Sequence, residues 1–141
     1  MGDELGAWLD GVGAEPSRAE LAQAVRRSLR ALAQLVPGAA VEVRVPPFAA
    51  VQCIAGPRHT RGTPSNVIET DPKTWLQLAT DRLSWSAAIA QGRVQASGPR
   101  ADLSRWLPLP HYSGAANAEW GSTTAGNPAE PAERGSGTMG I

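Results

Sequence analysis

Between positions 58 and 64 the chain reads Arg58-His59-Thr60-Arg61-Gly62-Thr63-Pro64. Two guanidiniums, an imidazole and two hydroxyls are the donors that hold a carboxylate or a phosphate. The same composition also describes a solvated loop whose arginines pair with Glu69 or Asp71, and both readings stand at this point. Every other search for chemistry in the sequence returns little. His59 and His111 are the only histidines and Cys53 the only cysteine. No spacing among them suits a zinc or di-iron site, so no metal is expected. Cys53 has no basic or His neighbour to lower its pKa and reads as a small buried thiol.

Ser65, Ser84 and Ser97 fall at turn or cap positions, and none has the G-x-S-x-G surroundings of a nucleophile elbow. Neither G-x-G-x-x-G nor G-x-x-x-x-G-K-[ST] occurs, so nucleotide binding has no motif behind it. Glu69 and Asp71 are accounted for by a strand end and a helix cap. The expectation is a protein without catalytic residues and without a cofactor.

The elements that position these residues follow from periodicity. Ser17-Arg18-Ala19-Glu20 is a capping box, and Leu21, Val25, Leu29, Leu32 and Val36 follow on one helical stripe. Arg26, Arg27 and Arg30 lie toward the other side as a solvated face, and Pro37-Gly38 stops the helix. Val41, Val43 and Val45 then alternate with Glu42 and Arg44, which describes a half-buried strand ended by Pro46-Pro47. FAAVQCIA, residues 48–55, is apolar on both faces and is expected to be an interior strand. SNVIET, residues 65–70, reads as a third strand.

Asp71-Pro72 sets an N-cap and a proline at the first helical position for a short helix with Trp75, Leu76, Leu78 and Ala79. Ser84 opens a second short helix with Trp85, Ala88 and Ile89, closed by Gly92. Val94 and Ala96 belong to a fourth strand, and a last short helix is expected around Leu103, Trp106, Leu107 and Leu109. The order is helix, two or three antiparallel strands, two helices, strand, helix, which is an α+β fold of one sheet covered by helices.

Composition bounds the remainder. The 141 residues carry 13 basic and 13 acidic side chains, a balance that argues against nucleic acid as a partner. The acidic start MGDELGAWLDG has neither the basic nor the apolar region of a signal peptide, no apolar run approaches a membrane span, and a single cysteine suits a reducing compartment. A cytoplasmic location is therefore expected. Residues 1–14 read as an N-terminal extension and 15–109 as the domain. The stretch 110–141, rich in Gly, Ala, Ser and Pro, is expected to be a disordered tail in which Trp120 alone is suited to docking.

The segment TDPKTWLQLATDRLSWSAAIAQGRVQASGPRADLSRWLPL, residues 70–109, preceded by HTRGTPSNVIE, resembles the C-terminal half of the sterol carrier protein superfamily. It is most similar to the bacterial sterol-carrier-like proteins, and is related to the C-terminal domain of mycothiol-dependent maleylpyruvate isomerase-like proteins. The likeness extends over about residues 16–109 and is most specific from 58 onward. The isomerases' metal-binding histidines have no counterpart here, so their chemistry does not carry over. The chain closes on Met-Gly-Ile, without the peroxisomal address of the animal carriers.

The resemblance implies a curved, mainly antiparallel sheet roofed by helices around an apolar cavity for fatty acyl, acyl-CoA or sterol-like lipid. It implies that Trp75, Leu78, Leu83, Trp85, Ala88 and Ile89 come from the roof. Val51, Cys53, Val94, Leu103 and Trp106 are floor and mouth candidates, and Arg58, His59 and Arg61 would hold an anionic head group. For each apolar residue ordinary core packing is the alternative. The second functional reading is an interaction or regulatory module of the same fold without an open cavity, working as a homodimer or with another protein.

Overall fold

The computed structural model describes residues 2–56 and 66–110. The loop bearing Arg58, His59 and Arg61, and the tail with Trp120, lie outside the described residues. Among the described residues eight elements follow in chain order: α1 (Gly2–Leu9), α2 (Arg18–Leu35), β1 (Val41–Val45), β2 (Ala49–Cys53), β3 (Val67–Thr70), α3 (Pro72–Ala79), α4 (Trp85–Ala90) and β4 (Val94–Ser97). Helices and a four-stranded mixed sheet, ordered β2-β1-β3-β4, make the α+β class.

The cap chemistry starts α2, α3 and α4 where the sequence places them. Ser17 Oγ accepts from the Glu20 amide at 3.1 Å, while Glu20 Oε1 accepts from the Ser17 amide at 3.0 Å. Asp71 Oδ2 accepts from the Thr74 amide, and Ser84 Oγ from the Ala87 amide. Each such cap removes an orphan donor and contributes about 1 kcal/mol. The stripe Leu21, Val25, Leu29 and Leu32 is buried, as are Val41, Val43 and Val45 on β1. The core lies between one face of the sheet and the helices. α2 packs on β2 and on α3, and α4 on β4.

Two expectations are corrected, and one, the direction of the strands, is sharpened. FAAVQCIA does not give an interior strand: β2 is at the edge of the sheet, with Ala50 and Gln52 exposed and Cys53 buried. Its alanines are too small to signal burial on both faces, so an apolar run of this composition fits an edge. β3 runs parallel to β1, pairing Val43 with Ile68, whereas β1–β2 and β3–β4 are antiparallel. The expected last helix is a turn: Trp106 N–H donates to Leu103 O, and no helix forms before Pro108 and Pro110, which cannot donate to an intrahelical ladder.

The segment set apart as an extension is also more than that. α1 places Leu5 and Leu9 in the core against α3. Gln77 Nε2 donates to Leu9 O at 2.7 Å, Arg82 Nε meets Asp10 Oδ1 at 2.8 Å, and Lys73 Nζ lies 5.0 Å from the Trp8 ring. Leu5, Trp8 and Leu9 have helical spacing, but eight residues are too short for periodicity to stand out.

The register gathers one end of the sheet. β1 begins where β2 ends (Val41 opposite Cys53), where β3 begins (Glu42 opposite Val67) and where β4 ends (Val67 opposite Ser97). The end of α2 joins them there: Ile54 N–H donates to Val36 O at 2.8 Å and Ala40 N–H to Ile54 O at 2.9 Å. Gly38, at φ +146°, passes so close to this crossing that a methyl group would collide with the Ile54 carbonyl. Gly38→Ala is therefore expected to cost about 3 kcal/mol or more in urea unfolding, whereas Ala39→Ser, beside it and half-buried, stays within about 1 kcal/mol.

Candidate functional site: the roof and one end of the sheet

The proposed roof and floor residues divide by burial. Cys53, Trp75, Leu78 and Ala88 are wholly buried in the same core cluster. Val51, Leu83, Trp85 and Trp106 are half-buried and pack against that cluster, and Ile89 is exposed. The inner set belongs to the core outright, and the half-buried set packs on its outside. Val94 and Leu103 are buried with the inner set.

Trp75 is the pivot of the inner set. Its indole N–H donates to Ser28 Oγ at 2.8 Å, and the Ser28 hydroxyl donates in turn to the Ala24 carbonyl at 2.8 Å. A buried indole N–H needs such a partner, since an orphaned donor costs about 1–3 kcal/mol. The bond joins α2 to α3 and fixes how the roof helix sits over the sheet. Ser28 is absent from the sequence-based candidates. The signal was a hydroxyl beside Leu29 on the buried side of an amphipathic helix, where a polar side chain requires a partner.

Cys53 sits on the sheet face beneath α2. Burial pushes its thiol up from 9.0 to about 11, so it is protonated at neutral pH. Among the described residues no three His, Cys, Asp or Glu side chains gather as a metal would need.

A polar network surrounds the other edge of the roof. Arg93 Nε donates to Thr74 Oγ1 at 3.1 Å, Arg93 Nη2 donates to Gln77 Oε1, and Thr74 Oγ1 donates to Asp71 Oδ1 at 2.6 Å. Thr70 Oγ1 donates to Arg93 O at 2.7 Å. Since Gln77 also reaches α1, this network connects α1, α3 and the start of β4. Of the two acids offered as loop partners, Asp71 is occupied as the cap of α3, and Glu69 lies 4.0 Å from Arg44.

Asn66, immediately before β3, was also missed. It is buried, its amide Nδ2 donates to Ala40 O at 2.9 Å, and its Oδ1 accepts from the Arg100 amide at 2.8 Å. Its side chain thereby connects the segment before β1 to the turn after β4. In the sequence it is indistinguishable from an ordinary loop asparagine.

Two outcomes test this geometry. Ser28→Ala is expected to lose about 1–3 kcal/mol in urea unfolding, because it strands the indole donor. In a Trp75→Phe background the same change costs less, a coupling that a double-mutant cycle reads directly. For Cys53, the raised native pKa favours folding fully below pH 9.0, and this contribution is lost as pH rises through about 11. Unfolding free energy measured across that window should fall by on the order of 2–3 kcal/mol more than in Cys53→Ala.

A family model described as bacterial SCP ortholog matches residues 17–109. None of the curated proteins matches the chain.

Proposed function

The chain belongs to this bacterial sterol-carrier-like family, and on that footing we propose that it binds or carries a hydrophobic ligand without acting on it chemically. The ligand class is a fatty acyl, acyl-CoA or sterol-like lipid. The observation that carries the reading is the family match over the whole α2-to-Leu109 domain. The fold is consistent with it: helices cover one face of an open sheet, and Leu83, Trp85 and Trp106 are half-buried apolar side chains packed against the core that holds Trp75 and Leu78. Such side chains would contribute roughly 25 cal/mol per Å² of apolar surface desolvated on binding. No helix among the described residues is long and apolar enough to cross a membrane, which suits a cytoplasmic carrier.

A second reading has an observation of its own. Trp75, Leu78, Cys53 and Ala88 are already consumed by packing on one another's neighbours, as in an interaction module that keeps the fold without a ligand space. That module would act as a homodimer or with another protein.

Native mass spectrometry of the protein from its own host, followed by lipid extraction, separates the two. A carrier is expected to bring an acyl species at near-stoichiometric level, and its Trp fluorescence should shift with fatty acid or acyl-CoA. A ligand-free chain that forms a concentration-dependent dimer and ignores both probes would favour the module.

A further inference from the structure

Part of the core is supplied from outside the family match. That match begins at residue 17, so α1 precedes the shared domain. Yet Leu5 and Leu9 on α1 are only 7% and 2% exposed, in the same core cluster as Trp75 and Leu78. One turn apart, the two leucines form a short apolar ridge. α1 packs against α3. There Lys73 and Gln77 both reach α1, and Leu76, three residues from Lys73 and on the side of α3 opposite Leu78, is wholly buried.

α1 is fastened at its C-terminal end. The Trp8 ring meets Lys73, the Leu9 carbonyl accepts from Gln77, and the Asp10 carboxylate pairs with Arg82. All three partners belong to α3 or to the turn after it. Asp10 is exposed, so its pair with Arg82 is a weak latch. Residues 11–15, which follow, are all exposed, and Gly11 takes φ +84° with open space where a methyl group would stand. An eight-residue helix keeps its turns in water only while it is docked. α1 thus combines an apolar ridge, latches to a single neighbour and a loosely packed hinge.

Resting on the carrier reading, we propose that α1 is a displaceable cover of the ligand space. Leu5 and Leu9 occupy, beside Leu76, the place that the apolar chain of a ligand takes when α1 swings out on residues 11–15. Ridge and ligand compete for that place, so the apparent affinity is set by the fraction of molecules in which α1 has been released. A filled core is then compatible with a carrier, because part of the filling is the chain's own helix. The closed form keeps the strip around Leu76 from water when no ligand is bound.

The test measures hydrogen exchange and the binding of dansyl-labelled undecanoic acid in the full chain. The variants are Asp10→Asn, the double change Leu5→Ala with Leu9→Ala, and Val45→Ala as a core change in the sheet. Urea unfolding first establishes that each is folded. In the free wild type, α1 amides are expected to exchange faster than those of α2, and faster still at saturating probe. Weakening the cover should tighten binding, about two- to fivefold in Asp10→Asn and about tenfold or more in the double variant, but not in Val45→Ala. If the double variant does not fold, Asp10→Asn and the exchange rates decide. Probe binding that is unchanged or weaker in the α1 variants, equal tightening in Val45→Ala, or α1 amides that gain protection with probe, overturns the cover and leaves the carrier reading intact. A probe that binds neither the wild type nor the α1 variants overturns the carrier reading, and the cover with it.

Discussion

The hydrogen bond from the Trp75 indole to Ser28 is the constraint on which the helical layer depends. α3 is only eight residues long and could not hold its own orientation. Its largest side chain is driven into the core by the desolvation of its ring, yet the ring carries a donor that must be answered there. Ser28 answers it from the middle of α2, and α2 is in turn seated on the sheet by Leu21, Val25, Leu29 and Leu32. One polar contact inside an apolar interface thus specifies the register of two helices that hydrophobic packing alone would leave free to slide.

The other half of the architecture is arranged around backbone crossings. The C-terminus of α2, the exit of β2 and the entry to β1 meet through Val36, Ile54 and Ala40. Ile54 takes φ +69°, a conformation unusual for a β-branched residue, and the bonds on its amide and carbonyl hold it there. This rigid corner is where residues 57–65 depart, and Asn66 is where they rejoin.

Legibility in the sequence followed locality. Ser17, Asp71 and Ser84 announced their helices because a cap acts within one turn of itself. The alternation of Val41, Val43 and Val45 announced β1 for the same reason. Sheet order and the parallel pairing of β1 with β3 were not legible, since they are settled by partners 25 residues apart, as Val43 is from Ile68. FAAVQCIA misled because small apolar residues tolerate an edge as well as an interior. The turn at 104–106 looked helical because Leu103, Trp106 and Leu107 have helical spacing, although the prolines that follow forbid the ladder. Among the apolar site candidates, the sequence could not sort the buried core, such as Trp75, from half-buried side chains such as Trp85. Asn66 had no local signature, because its partners are 26 and 34 residues away.

The parallel pairing has a consequence for assembly. β1 and β2 form a hairpin within residues 41–53, and β3, α3, α4 and β4 form a second local unit within 67–97. The two meet along the β1–β3 ladder, with the Asn66 amide as a stitch at one end and the Trp75–Ser28 bond above it. The domain is thus two sequence-contiguous halves zipped along one ladder, and the chain linking them runs between Gly56 and Asn66. A fold divided in this way lends itself to fragment complementation: two polypeptides separated within that linking stretch would each retain a complete side of the zipper.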